Sequence, residues 1–129
     1  LSDDPLQQIL IFIRLFEDMF SGMTEPYPGC LLASYVYELQ QFDDETRKLL
    51  HETFARWRTL LQEKFELIIR KYPPKNPVSA SQLADGFTVV LEGAFILAKA
   101  MNDARMASEQ LRLYRNYIEL LFGAAPAKS

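Results

Sequence analysis

The sequence predicts an all-α fold of five helices. Three observations support it. Apolar residues recur at spacings of three and four along most of the chain, while strand-type alternation is nearly absent. Prolines and glycines gather at a few points and divide the chain into helix-length pieces. With 129 residues, 49% hydrophobic and 24% charged, the chain has the composition of one folded domain rather than a disordered tract.

The first helix is expected over about 4–21. Ser2, Asp3 and Asp4 offer capping oxygens and Pro5 suits the first turn. Leu6, Ile9, Leu10, Ile13, Phe16 and Phe20 form one stripe. Phe12, Leu15, Met19 and Met23 cover much of the remainder, so the helix is expected to be mostly surrounded by protein. The run TEPYPG at 24–29 holds two prolines and a glycine and reads as a loop. A second helix over about 30–41 is almost entirely apolar until Glu38, which suggests a central position.

Asp43, Asp44 and Glu45 open the third helix, where carboxylates favour the positive end of the helix dipole. It runs to about Tyr72, roughly 28 residues or ~42 Å. Leu50, Phe54, Trp57, Leu61, Phe65, Ile68 and Tyr72 form its stripe, opposite Arg56, Thr59, Glu63, Glu66 and Arg70. Pro73, Pro74 and Pro77 end it. Ser79 with Gln82 makes a capping box for a fourth helix reaching about Asn102. The fifth helix covers 105–122, with Gly123 as its C-cap and 124–129 as a disordered tail beyond the domain at 1–123.

The fourth helix is unusually apolar. At about 100° per residue, Asp85, Glu92 and Lys99 fall on one line, and nearly everything else on the wheel is apolar. Phe87, Leu91, Phe95 and Ala98 lie to one side of that line; Gly86, Val89, Gly93, Ile96 and Ala100 lie to the other. Such a helix needs cover on two sides. The fifth helix is also too apolar for an outer helix, and carries Leu113, Tyr117 and Leu120. One small domain has few elements to cover both, whereas a second copy would cover them, and soluble oligomers most often form two-fold dimers. The expectation is an intermolecular four-helix bundle with Gly86, Val89, Gly93, Ile96, Ala100, Leu113, Tyr117 and Leu120 at the interface, the small residues allowing close approach.

Several chemistries find little support. The net charge of −3 argues against this chain gripping nucleic acid alone. No apolar run reaches the ~18 residues of a membrane span, and no signal peptide is evident. The single cysteine, Cys30, fits a reducing cytoplasm. The default for it is a buried apolar thiol, although its position at a helix start leaves a reactive thiol open. His51, the one histidine, lacks a companion at metal-ligand spacing, so no metal is expected. Asp43 and Asp44 have no partner acid or base. There is no phosphate loop or nucleophile elbow. No catalysis and no cofactor are expected.

A pocket for a small, largely apolar ligand is the better expectation. Phe12, Phe16, Met19, Phe20, Tyr35, Phe54, Trp57 and Leu61 are large groups expected to converge on the domain's centre, with Phe87 and Leu91 from the fourth helix. Ser34 and Glu38 share a face of the second helix and would supply polar contacts. The same aromatic stripe is also what a plain core would show. Two other readings therefore stand beside it: a helical protein-interaction domain with no small-molecule ligand, and a small enzyme or redox sensor using Cys30 or His51.

The run Gly29-Cys30-Leu31-Leu32, then Glu38 and the acidic helix start at Asp43, resembles the TetR/AcrR family of transcriptional regulators. So does Leu91-Glu92-Gly93-Ala94 continuing through Leu97-Ala98-Lys99 to Asp103. The resemblance covers about 4–122 and is to the C-terminal ligand-binding and dimerisation domain. It implies an all-helical effector domain of a bacterial repressor, a homodimer built on the last two long helices, and operator release when a small molecule moves the helix joining it to an N-terminal helix-turn-helix domain. The helix at 4–21 would correspond to that connecting helix. Ser34 stands where many relatives carry Asn. No basic helix-turn-helix precedes Leu1, so DNA is expected to be bound only through a domain not in this chain.

Overall fold

In the computed structural model, which describes residues 3–123, five α-helices pack in a single layered bundle without strands among the described residues. They are α1 (Pro5–Ser21), α2 (Leu31–Tyr37), α3 (Asp44–Lys71), α4 (Ala80–Met101) and α5 (Arg105–Phe122), with one 3₁₀ turn at Leu39–Gln41. The expected tail at 124–129 and the capping role of Ser2 lie outside the described residues.

The local signals decide most helix ends. Asp4 caps α1 by accepting from the Gln7 backbone N–H, with Pro5 in the first turn. Asp43 caps α3 through the Thr46 N–H at 2.8 Å. Ser79 and Gln82 close a reciprocal capping box on α4. Gly123 ends α5 in the left-handed conformation at φ 71°, which favours glycine. Asn102 ends α4 in the same conformation, at φ 48°, and Asp103 then accepts from the Arg105 backbone N–H to start α5. Past the prolines that end α3, Lys75 donates its backbone N–H to the Leu121 carbonyl and so ties that connection to the end of α5.

Helix α1 lies chiefly against α5, and α4 packs against both α3 and α5. Leu6, Ile9, Ile13 and Phe20 of α1 meet Phe65 and Ile68 of α3, Leu83, Phe87 and Phe95 of α4, and Leu111 and Ile118 of α5 in one buried core. The stripe expected on α3 is observed, with Leu50, Leu61, Phe65 and Ile68 buried. Among the described residues no helix is long and apolar enough to cross a membrane.

Two expectations are corrected. Helix α1 is not surrounded within the chain: Ile11, Leu15 and Met19 form an exposed stripe, because α5 covers the opposite face and α3 covers only one edge. Helix α2 is not central. It stops at Tyr37 rather than continuing as α-helix to 41, none of its residues is buried, and Leu31, Tyr35, Val36 and Tyr37 face outward. Seven residues held by a loop containing Pro26 and Pro28 on one side and a 3₁₀ turn on the other lie along the first part of α3 without entering the core.

The four core helices also bury charge. Glu17 of α1 and Arg115 and Glu119 of α5 are 4%, 6% and 4% exposed. Arg115 grips both oxygens of Glu17, at 2.5 and 3.1 Å, and turns Nη1 to Glu119 at 3.0 Å. Arg112 reaches Glu17 at 3.8 Å from the rim.

Candidate functional site

Helix α3 spans the domain, and open clefts run along it, three of which involve residues the sequence assigns to a pocket. The first lies between α2 with its 3₁₀ turn and the N-terminal half of α3. It has a volume of about 420 Å³ and is lined by Ala33, Val36, Tyr37, Leu39, Arg47, Leu50, His51 and Phe54. The second lies between α1 and α3, at about 280 Å³, with Phe12, Trp57, Leu60 and Leu61 on its walls and Gln8 and Lys64 at its polar end. There Lys64 donates to the Gln8 amide oxygen at 2.5 Å. The third, of about 340 Å³, lies between α3 and α4 and is more polar, with Arg58, Asp85 and Thr88. Phe54 lines the first and third clefts, and Trp57 the second and third.

Trp57 is fixed by a hydrogen bond from its indole Nε1 to Thr88 Oγ1 at 2.9 Å. Arg58 and Asp85 pair at 2.6 Å beside it. Behind Trp57 an aromatic cluster fills the centre. Phe12 meets Phe16 edge-on at 5.1 Å, both lean on Phe87, and Phe20 continues to Tyr27 and Phe95. Trp57 itself lies 6.4 Å from Phe87. Rings at these separations attract one another and close-pack, so the centre is filled, and the space for a ligand lies at its margins.

The sequence-derived pocket residues therefore divide. Phe12, Trp57 and Leu61 line the α1–α3 cleft, and Phe54 the α2–α3 cleft. Phe16, Phe20, Phe87 and Leu91 belong to the packed centre behind them. Met19, Ser34, Tyr35 and Glu38 do not converge with the others. Met19 belongs to the outward stripe of α1, the Ser34 hydroxyl donates to the Cys30 carbonyl, Tyr35 meets Phe42 edge-on, and Glu38 accepts from Gln41. This is the consequence of a peripheral α2: the convergence expected of its polar face required a central helix. The contribution of Leu50, Arg47 and His51 to a cleft was missed. Their spacing with Phe54, at 47, 50, 51 and 54, is the helical signal that places them on one face.

Cys30 is half-buried at the start of α2. Burial pushes the Glu92 carboxyl of α4 above the ordinary carboxylate range, with the Cys30 side chain acting in the opposite direction. Lys99 of α4 reaches back, donating to the Pro28 carbonyl at 3.1 Å. Lys99, one of the three charges on the polar line of α4, thus ties that helix to the loop that carries α2.

The residues expected at an interface are mostly exposed. On α4, Val89 is 70% exposed, and Ile96 and Ala100 also face outward. On α5, Leu113 and Leu120 are 61% and 72% exposed, with Tyr117 between them. Leu97 and Met101 extend this surface. Gly93 has open space where a Cβ would stand. Gly86 is the exception: it faces the Tyr114 ring of its own chain, where a Cβ would lie 3.6 Å from Cε1. The position lies in the α4–α5 contact of one subunit, where a Cβ would make ordinary van der Waals contact with that ring.

A family model described as tetracyclin repressor-like, C-terminal domain, matches residues 5–114. No curated protein and no solved structure matches the chain.

Proposed function

The chain belongs to the tetracyclin repressor-like C-terminal domain family, and from that premise we propose that it is the regulatory half of a bacterial, cytoplasmic transcription repressor. It binds a small, largely apolar effector, pairs with a second copy through α4 and α5, and passes effector binding to operator DNA through a helix-turn-helix domain outside these residues. The observation that carries this reading is the outward apolar face formed by Val89, Ile96, Leu113, Tyr117 and Leu120. Its side chains belong to two adjacent, antiparallel-connected helices whose other faces are already in the core. A self-complementary pairing of two such faces gives a four-helix bundle. Burial near the standard ~1,600 Å² would hold it stably.

In this reading the effector occupies the α2–α3 and α1–α3 clefts. Their volumes lie at or near the lower end of the ~300–1,000 Å³ of small-molecule sites. Support comes from the open apolar walls of Leu50 and Phe54 in one, and of Phe12, Trp57 and Leu61 in the other. Both clefts abut α3, and α3 packs on α4. A ligand that favours one arrangement of these helices shifts the equilibrium by its differential affinity for the two, typically ~1–3 kcal/mol of coupling.

Two measurements test the reading. Sedimentation velocity at micromolar concentration should give a dimer, and Val89→Asp should give a folded monomer. A native chain that sediments as a monomer favours a surface for a different protein and removes the homodimer. Titration of a panel of apolar compounds should move the Trp57 emission; a panel without effect, with the dimer intact, counts against the effector site.

A further inference from the structure

The α2–α3 cleft carries a charge bias opposite to that of the chain. The protein has 17 acidic and 14 basic residues. None of the residues lining this cleft is acidic, and two, Arg47 and His51, are basic. They stand one turn apart on α3, so their side chains share a wall. The remaining lining is hydrocarbon and ring: Ala33, Val36 and Leu39 from the α2 side, Leu50 and Phe54 from α3, with the Tyr37 phenol at α2's end. Arg47 is held by Asp44 through one Nη, and the Asp44 carboxylate is almost wholly in solvent. Exposed pairs of this kind contribute little, so an incoming anion can take the place of Asp44 at small cost.

Resting on the effector reading above, we propose that this cleft takes an amphipathic carboxylate, with its apolar body along Val36, Leu39, Leu50 and Phe54 and its carboxylate between Arg47 and His51. A guanidinium presents paired N–H donors that match a carboxylate, and a ring N–H of His51 supplies a further donor. A neutral molecule of the same length would leave these donors to water. A cationic one would meet Arg47 with like charge.

Isothermal titration of the 129-residue chain with decanoate, decanol and decyltrimethylammonium, each below its aggregation concentration, tests the assignment. Decanoate should bind about tenfold or more tighter than decanol, the scale of a charge-assisted hydrogen bond, and the ammonium weakest. The Arg47→Gln/His51→Gln variant, checked for an unchanged helical circular dichroism spectrum, should bring decanoate down to decanol. Phe54→Ala should weaken both together. Equal binding of decanoate and decanol by the native chain, or a preference that survives the double substitution, overturns the carboxylate assignment while leaving an apolar effector site standing. Binding of none of the three overturns the assignment and counts against effector binding in this cleft as well.

Discussion

Glu17, Arg115 and Glu119 put three charged side chains where a small helical domain ordinarily keeps hydrocarbon. Each is deprived of water, and the geometry returns the loss only in part, through the two-pronged grip of Arg115 on Glu17 and its third bond to Glu119. Removing the cation alone leaves two buried carboxylates facing each other. Arg115→Met is therefore expected to cost about 3–5 kcal/mol in urea unfolding. Replacing all three residues by Met or Leu should come out near neutral or stabilising, because no charge is then stranded. The sequence contains a signal for this cluster. Glu17 occupies the stripe position between Ile13 and Phe20, and Arg115 that between Leu111 and Ile118. Charges in register with two core stripes are candidates to meet, but which stripes face each other is settled only by packing. Tyr114 shows the same cost in a neutral group. Its phenol donates to the Leu83 carbonyl at 2.6 Å, and burial holds its ionisation well above the ordinary phenol range. A raised phenol stabilises fully below the unfolded value of ~10, and its contribution is lost as pH climbs from there through the folded value. Tyr114→Phe should thus be less stable than the native chain near pH 7 by about 1 kcal/mol. That gap should shrink as unfolding is measured progressively above pH ~10.

At the scale of elements, the chain's punctuation was readable because each helix end has its own chemistry. Asp4, Asp43, Ser79 with Gln82, and Gly123 all act where their residue types place them. Helix α2 was misread for a physical reason. Apolar content reports that a segment would gain by burial, not that anything is available to bury it, and the prolines at 26 and 28 hold this short piece outside the core. Leu31, Tyr35, Val36 and Tyr37 are the large residues it leaves exposed. Helix α4 presents the opposite case, since its two-sided apolarity marks one face for the core and one for elsewhere. Gly93 lies on the second face with nothing near its absent side chain. Gly93→Ala should therefore raise the stability of the isolated subunit by about 0.5–1 kcal/mol through helix propensity alone. If two copies bring their α4 axes together there, the same substitution weakens association. Unfolding of a monomeric Val89→Asp background with and without Gly93→Ala, beside sedimentation of the single Gly93→Ala chain, separates the two effects.

For the whole molecule, the five helices have more apolar surface than one subunit encloses; exposed large apolar residues stand on every helix, and Val89, Ile96, Leu113, Tyr117 and Leu120 join two adjacent helices in one face. On α4, Phe87, Phe95 and Ala98 face inward, while Val89 and Ile96 face out, with Val89 at the edge of the α3–α4 cleft. The twin proposed above would sit on the outward face of α4 and α5. Such an arrangement makes stability depend on concentration. A folded dimer in equilibrium with unfolded chains gains from mass action, so its midpoint temperature rises as the protein is concentrated, whereas a monomer's does not. Scanning calorimetry of the native chain over a hundredfold range of concentration should show a steady rise in Tm. The Val89→Asp variant should melt lower and at a temperature independent of concentration, because a carboxylate placed against the partner's apolar face keeps its water only when the subunits stay apart. A native Tm that does not move with concentration would mean that the outward face of α4 and α5 remains in solvent, and the homodimer would then have to be abandoned whatever the clefts bind.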